Sequence, residues 1–429
     1  MGDIAFQVKL TTSVTLSAAL TTLLTVLSVI ALLTARSSSG VPARESRKPS
    51  WRDGAAGGVM PPRLCFLSWQ AQLALWIFLS WAVCTTVQRG LTTEGVQNLA
   101  CYLLFISTTL TVWHRAEKAD VIRFIKVLVV VGWLRVAMYG VDLLRLGFDA
   151  QGVYAARSFG VQAVVIAAAV IPFAAYVRGA RFLPYALFLE TVLSGSRTAM
   201  TAVGLLLVFV SLCNTRRVRR LKAVVRLGAL AIVGWLGLTY IPAVHKRFFT
   251  GDLVMVHGMA VNSSGRDFLW SLVSQHASTS PWLGFGAGSA TRIVRNAIRT
   301  SGEPHNDYLR LWHDFGYIGL GLWLLGYMGI MANCWRRARR SPEGGAAPHY
   351  AAALALGGVS LIMITGNVLI YFYAMLPLGV LVGFSLAEQA SADVCTRLGP
   401  PTKEDTLSDR RHSCVGGLAV LNTRAISGP

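Results

Sequence analysis

The sequence predicts an all-α polytopic membrane protein with about eleven transmembrane helices (ten to twelve) and one long outer-face loop that carries short helices. Of its 429 residues, 54% are hydrophobic and 14% are charged, and the mean hydropathy is +0.52. Soluble domains carry about 25% charged residues. Lys and Arg cluster in short segments between apolar runs, which is typical of cytoplasmic loops. This topology explains the net charge of +20, so we predict no nucleic-acid partner.

The proposed spans are apolar runs that are long enough to cross about 30 Å of hydrocarbon. These runs lie at residues 11–34, 64–87, 97–113, 121–141, 158–177, 198–213, 224–242, 315–333, 350–366 and 367–387. Lys9 is the only basic residue before the first run, and the run is too long for the apolar part of a signal peptide. A shorter run, 182–194, must also cross if the basic loops 35–63, 214–226 and 334–349 all face the cytoplasm. The N-terminus is then outside and the C-terminus inside.

These spans divide the chain into four regions. Residues 1–242 are N-terminal transmembrane helices, 243–305 form a large periplasmic or extracellular loop, 306–388 are C-terminal transmembrane helices and 389–429 are a disordered cytoplasmic tail. The outer loop is itself basic. Because long loops cross a membrane regardless of charge, this basicity predicts an anionic ligand at the outer face. Anionic lipid headgroups are the alternative.

Two arginines of this region stand at element boundaries. Arg197, in the Ser-Gly-Ser-Arg-Thr segment 194–198, interrupts an apolar stretch. An arginine at membrane depth costs at least about 2.5 kcal/mol, so it should face an interior cavity or water, unless it snorkels from a turn between helices. Arg266 follows Gly265 at a predicted helix start and shares a face with Trp270. An amphipathic helix on the membrane surface is the alternative there.

Two further motifs lie later in the same loop. The segment 281–288 has three glycines at alternate positions without a surrounding strand–helix unit, which excludes a dinucleotide-binding fold. It predicts a tight turn that can offer backbone N–H groups to an anion. His305 and Asn306 precede an apolar helix. A helix starting there would splay Glu303, His305 and Asp307 apart, so we predict no metal site.

In series, these motifs resemble the O-antigen ligase/polymerase superfamily of bacterial envelope glycosyltransferases over residues 190–320. The chain departs from the family pattern at Asp314, where Glu is usual, and by the insertion of Trp282. The matching elements are Ser196-Arg197, Gly265-Arg266 with Trp270, Pro281-Trp282-Leu283-Gly284-Phe285-Gly286, and His305-Asn306 with Gly316 and Gly319. The resemblance implies a multi-pass protein of the bacterial inner (cytoplasmic) membrane. It also implies glycan transfer from an undecaprenyl-diphosphate carrier to a glycan or lipid-linked acceptor, without metal or other cofactor.

The residue chemistry agrees with this reaction. Guanidinium groups bind phosphate oxygens in pairs, so we predict that Arg197 and Arg266 clamp the diphosphate. His305 is the predicted base for the acceptor hydroxyl, with Asn306 or Asp307 orienting it or the sugar. The remaining predicted substrate-binding residues are Ser196, Trp270, Arg247, Arg292 and Arg295.

Two alternatives stay open on the sequence. Ligase and polymerase use the same donor chemistry and differ only in the acceptor. The alternative from a different functional class is a polysaccharide or lipid-linked oligosaccharide transporter or flippase without transferase chemistry. A transporter is expected to carry charged residues within several spans. Its best support is the group Arg135, Asp142 and Arg145 near the fourth run.

Overall fold

The computed structural model describes residues 62–387, with gaps at 117, 148–155, 213–224, 299–302 and 342–344 and at further positions between 226 and 264. The first predicted span and the predicted tail lie outside the described residues. The helices are α1 (Pro62–Arg89), α2 (Thr93–Arg115), α3 (Lys118–Leu146), α4 (Ala156–Val170) with a short 3-10 turn (Ile171–Phe173), α5 (Leu183–Leu193), α6 (Arg197–Leu212), α7 (Arg266–Ala277), α8 (Ser289–Ile298), α9 (Asp307–Arg340), α10 (Ala347–Met363) and α11 (Phe372–Leu386).

The helices show the apolar character of membrane segments. Three described helices are long and apolar enough to cross a membrane: Trp69–Arg89 within α1, Thr93–Arg115 and Asp307–Arg340. Five shorter apolar helices accompany them. The chain is therefore a helical membrane protein, as predicted, and the number of about eleven spans stays a prediction.

The core is built where α9 crosses α1 and α2. Phe78 of α1 packs edge-on against Tyr102, Phe315 and Trp323, with ring centroids 5.1–5.4 Å apart. Edge-to-face contacts are a favoured geometry for aromatic rings. Further along, Gly383 of α11 lets that helix approach α2 closely, because a Cβ there would lie 2.5 Å from the Cβ of Val112. Small residues permit such close packing between membrane helices.

Helix α9 contains a break at Gly316. This residue has φ 67° and ψ −173°, a conformation that is essentially restricted to glycine. The Trp81 side chain donates to the Phe315 carbonyl across a distance of 3.0 Å, and the backbone N–H of Tyr317 donates to Pro281 at 2.8 Å. The break therefore receives the glycine-rich turn of the outer loop on one side and α1 on the other.

Two observed features differ from the predictions. The predicted outer loop contains a two-stranded antiparallel hairpin of β1 (Leu253–Val256) and β2 (Met259–Asn262). β1 contains two valines and β2 contains one, and valine favours extended backbone. The arginine cluster assigned to the loop 334–349 lies instead in the last turns of α9, which ends at Arg340. Arginine is a good helix former, and a basic residue is favourable at the negative end of the helix dipole.

Candidate functional site

One pocket brings together residues from five parts of the chain. It holds about 740 Å³ of empty space, including its open mouth. Arg197, Arg266 and His305 all line it, although 108 positions separate the first from the last, and each is half-buried. The full lining is Val161, Gly195, Ser196, Arg197, Thr198, Ala199, Arg266, His305, Ile362, Thr365, Gly366, Asn367 and Tyr371.

Arg197 reaches the pocket because a tight turn separates α5 from α6. Gly195 has φ 62°, and the backbone N–H of Ser196 donates to the Thr191 carbonyl at 3.2 Å. The turn makes Arg197 the first residue of α6 and brings Ser196 into the same lining. An arginine at the start of an apolar helix thus faces a polar cavity, which is the placement that its cost in hydrocarbon demands.

Arg266 and Trp270 share a face of α7, and the two have different tasks. Arg266 is the first residue of the helix, after Gly265 with φ 73°, and it lines the pocket. Trp270 does not line it; its indole N–H donates to the Pro304 carbonyl at 2.9 Å. The tryptophan therefore fastens α7 to the segment that carries His305, one helical turn from the arginine.

Asn306 and Asp307 support the start of α9 rather than the pocket lining. The Asn306 side chain caps the helix by accepting from the Leu309 N–H at 3.0 Å. The fully buried Asp307 accepts from the backbone N–H groups of Val368, at 2.5 Å, and Leu369, at 3.1 Å. This carboxylate therefore holds the 365–371 segment against the start of α9.

The segment between α10 and α11 supplies the lining residues that sequence reasoning missed. Thr365, Gly366, Asn367 and Tyr371 all face the pocket, and the Thr365 hydroxyl contacts that of Thr198. A polar Thr-Gly-Asn triplet between two apolar runs was the available signal. The predicted spans 350–366 and 367–387 meet within this triplet, and hydropathy alone does not show which other helix ends lie beside it.

A buried ionic cluster lies directly behind His305. Arg310 is fully buried and bonds to the Glu303 carboxylate, with Asp307 at 3.5 Å. Burial raises the pKa of Glu303, and Arg310 opposes that rise. The Thr291 hydroxyl donates to the same carboxylate at 3.2 Å, which joins α8 to the start of α9. A buried ionic cluster of this kind is costly to break from one side.

The predicted guiding arginines lie away from the pocket lining. Arg295 of α8 forms an ion pair with Glu94 of α2 at 2.6 Å, and Arg292 is exposed on the same helix. Arg247 lies outside the described residues. A role of these arginines in attracting the donor stays a prediction.

The glycine-rich turn binds an anion of the protein itself. The Asp314 carboxylate accepts from the backbone N–H groups of Gly288 and Ala290, each at 2.9 Å, and from the Ser289 hydroxyl at 2.8 Å. The Asp314 carbonyl accepts from the Gly286 N–H at 2.7 Å. The predicted N–H-rich turn therefore caps α8 with a side chain of α9, and it aligns the outer loop with that helix.

Helix ends add to the positive character of the pocket. Arg197 and Arg266 are the first residues of α6 and α7, His305 directly precedes the Asn306 cap of α9, and Tyr371 is the N-cap of α11. Each helix N-terminus carries about half a positive charge, which favours anions. Two guanidinium groups and four helix starts around one cavity suit a multiply charged anionic group.

Comparison with known proteins agrees with this placement. Residues 183–324 match the family model described as O-antigen ligase. The chain is also 30% identical, over 151 residues, to the O-antigen ligase of Pseudomonas aeruginosa strain PAO1. That match covers 35% of this chain and 33% of the relative, so the chain matches about a third of that relative's length.

These two matches confirm the predicted resemblance to the O-antigen ligase/polymerase superfamily. The family segment contains Arg197, Arg266 and His305 and ends before the 365–371 segment. The pocket therefore joins residues inside the family segment to residues beyond it.

Proposed function

We propose that this protein is a glycosyltransferase of the bacterial inner membrane. It transfers or polymerises a glycan from an undecaprenyl-diphosphate carrier onto an acceptor hydroxyl at the outer membrane face, without metal or cofactor. The observation that carries this proposal is the meeting of Arg197, Arg266 and His305 in one pocket. A glycan or a lipid-linked molecule supplies the acceptor hydroxyl, so the proposal covers both ligase and polymerase.

The reaction exchanges one bond to the anomeric carbon for another. The acceptor oxygen forms a bond to that carbon while the bond between the carbon and the diphosphate oxygen breaks, and the bonding pair leaves with the diphosphate. Arg197 and Arg266 offer paired N–H donors to the leaving group. Their stabilisation of its developing charge supplies most of the rate enhancement in this proposal.

His305 accepts the proton of the acceptor hydroxyl in the same step. Imidazole titrates near neutral pH, which suits a general base. Its ring reaches the cavity from the segment that precedes α9. Val161 and Ile362 add apolar surface to the lining, which is compatible with the first units of a polyprenyl chain.

The direction of three helices supports a pocket at the outer face. Helices α6, α9 and α11 begin at the pocket, and α9 ends in the basic segment 336–340. The Arg337 side chain donates to the Leu386 carbonyl at the end of α11, at 3.2 Å, so the far ends of α9 and α11 meet. Basic clusters are retained on the cytoplasmic side, and the pocket lies at the opposite end of both helices.

Replacement of the pocket residues tests the proposal. In cells that lack the chromosomal copy, His305→Ala should abolish glycan product and cause lipid-linked glycan to accumulate at the outer face. Arg197→Lys and Arg266→Lys should each lower product formation about tenfold to a hundredfold, because a point charge does not replace a paired donor. Gel analysis of the glycan and immunoblots of the protein provide the measurements.

Matched controls use exposed residues of the same types, His114→Ala and Arg123→Lys. Both should retain full product. Unchanged product in His305→Ala would remove the imidazole from catalysis. Retention of lipid-linked glycan at the inner face would instead favour the flippase reading.

A further inference from the structure

We infer that Asn367 is a positioning residue that sets which nitrogen of His305 carries the proton. In this inference the Asn367 amide oxygen accepts a hydrogen bond from His305 Nδ1–H, which leaves the lone pair on Nε2 for the acceptor hydroxyl. The inference rests on the proposed function for its catalytic meaning. The tautomer itself can be measured without any turnover.

The contact is direct and partly buried. Asn367 Nδ2 lies 3.0 Å from His305 Nδ1, and Asn367 is 3% exposed. Among the described residues, the amide oxygen of Asn367 has no hydrogen-bond partner. A buried acceptor without a partner is unfavourable, and among the described residues no bond of this oxygen fixes the amide in the orientation shown.

The amide orientation decides the chemistry of the imidazole. An amide turned by 180° exchanges oxygen and nitrogen with almost no change in shape. If the amide N–H faces His305, the neutral ring must accept at Nδ1 and carry its proton on Nε2, and it then has no lone pair to offer the substrate. If the oxygen faces His305, Nδ1 donates and Nε2 is the base. General-base catalysis by Nε2 therefore requires the second orientation.

The surroundings hold Asn367 firmly against His305. The next two backbone N–H groups, of Val368 and Leu369, bind Asp307, which follows His305 by two residues. The Asn367 side chain also hydrogen-bonds the Tyr371 hydroxyl. The loop before α11 and the start of α9 are thus held together by these bonds, which keep the Asn367 amide beside the His305 imidazole.

Charged and titratable groups approach this pair from several elements. Arg197 of α6, Arg266 of α7 and Tyr371 before α11 line the same pocket. Glu303 and Asp307 flank His305 in the chain and share Arg310. All of these groups can affect a pH–rate profile. The effect of Asn367 is therefore measured as the difference between the wild-type protein and Asn367 variants that retain the other groups.

Nitrogen NMR of the purified full-length protein in lipid nanodiscs tests the tautomer directly. The ring signals of His305 in ¹⁵N-histidine-labelled protein are identified by their loss in His305→Gln. We expect neutral His305 to carry its proton on Nδ1. A proton on Nε2 in the wild-type protein would overturn the inference, whether or not the protein proves to be a glycosyltransferase.

Activity of two variants tests the consequence. The assay uses isolated membranes and lipid-linked glycan extracted from the deletion strain. Asn367→Asp, which can only accept, should stay active, with the acidic limb of its pH–rate profile moved up by about one to two units. Asn367→Leu should lose about a hundredfold, because general-base catalysis contributes about 10²–10⁴-fold.

Three results in that assay would contradict the inference: an Asn367→Asp profile that does not move, an Asn367→Asp variant inactive at every pH while normally inserted, or full activity of Asn367→Leu. Failure of the wild-type protein to use the lipid-linked glycan would sink the proposed function instead. The nitrogen spectra would then still decide the tautomer.

Discussion

His305 has the most unusual backbone conformation of the pocket residues. Its φ is 53°, and among the described residues it alone takes a positive φ without being glycine. Such a conformation costs about 1–3 kcal/mol and persists only where the surroundings impose it. Trp270 holds the preceding carbonyl, and Asn367 contacts the ring itself. The strained backbone therefore belongs to a residue that is held by Trp270 through the preceding carbonyl and by Asn367 through the ring.

Gly316→Ala tests how the glycine-rich turn 281–288 packs into the break of α9. In Gly316→Ala the new Cβ would lie 2.1 Å from the Trp282 carbonyl oxygen, at a φ of 67°. We expect a loss of stability of at least about 1–3 kcal/mol from backbone strain, before any displacement of the turn. Thermal unfolding of the detergent-purified protein measures it.

The control for this test is Gly321→Ala on the same helix, where a Cβ would meet nothing within 4 Å. It should leave the midpoint unchanged or raise it slightly, since alanine favours a helix. Equal midpoints for the two variants would mean that the turn is not packed into the break of α9.

Helices α7 and α8 form a small layer that is tied to α9 by polar contacts. His276 of α7 and His313 of α9 face each other with Nδ1 and Nε2 3.0 Å apart. His313 in turn contacts Asp314 at 3.0 Å, the residue that caps α8. Leu269, Val273, Ala290 and Val294 form the apolar cluster beneath this layer. Because this apolar cluster is small, the stability of the layer depends strongly on its polar contacts to α9.

The His276 contact predicts that this layer weakens in acid. Burial, and then His313, lowers the pKa of His276 below the ordinary histidine value. Its stabilisation is therefore present above about pH 6.5, the ordinary histidine pKa, and is lost as the pH falls through the lower value of the folded state. Limited proteolysis should cut residues 266–304 faster below about pH 6.5.

In His276→Gln this acid dependence should become shallower, because glutamine does not titrate. His114→Ala, which removes an exposed histidine, should keep the wild-type dependence. A proteolysis rate that is independent of pH in the wild-type protein would show that His276 does not control the layer.

A buried ion pair connects helices from the first half of the described chain, next to the turn that carries Arg197. Arg135 of α3 bonds to Glu190 of α5 at 3.2 Å and to Gln162 of α4 at 2.6 Å. Arg135 and Glu190 are 7% and 3% exposed. The charge that best supported a transporter thus has an internal partner, one helix before Arg197.

This pair predicts an asymmetric response to mutation. Arg135→Leu should destabilise the protein by about 3–5 kcal/mol, because it leaves a buried carboxylate without its cation. The double variant Arg135→Leu/Glu190→Leu should recover most of that loss. Thermal unfolding in detergent compares them, with Asp120→Ala, which breaks an exposed pair, as a nearly neutral control.

Lower stability in the double variant than in Arg135→Leu alone would contradict this account. It would mean that the carboxylate has a role besides its pairing with Arg135.

Amino-acid order alone indicated the helical membrane class and the residue types of the site. The length of an apolar run indicates whether it can span the lipid. An arginine or histidine within such a chain has a high free-energy cost in hydrocarbon, so it is expected at a helix end that faces water or a cavity. The motifs around Arg197, Arg266 and His305 could therefore be recognised locally. The same motifs predict Trp270 and Asn306 as substrate-binding residues, but the spacing does not show that these side chains bond to Pro304 and Leu309.

Folding in three dimensions was required for the rest. Asn367 lies 62 residues from the imidazole it contacts, and Asp314 caps a helix that begins 25 residues earlier. Such pairings depend on which helix ends meet. Hydropathy does not predict this, because an apolar helix face can pack against lipid as favourably as against another helix. Close packing at Gly316 and the buried bonds of Asp307 select one arrangement among many.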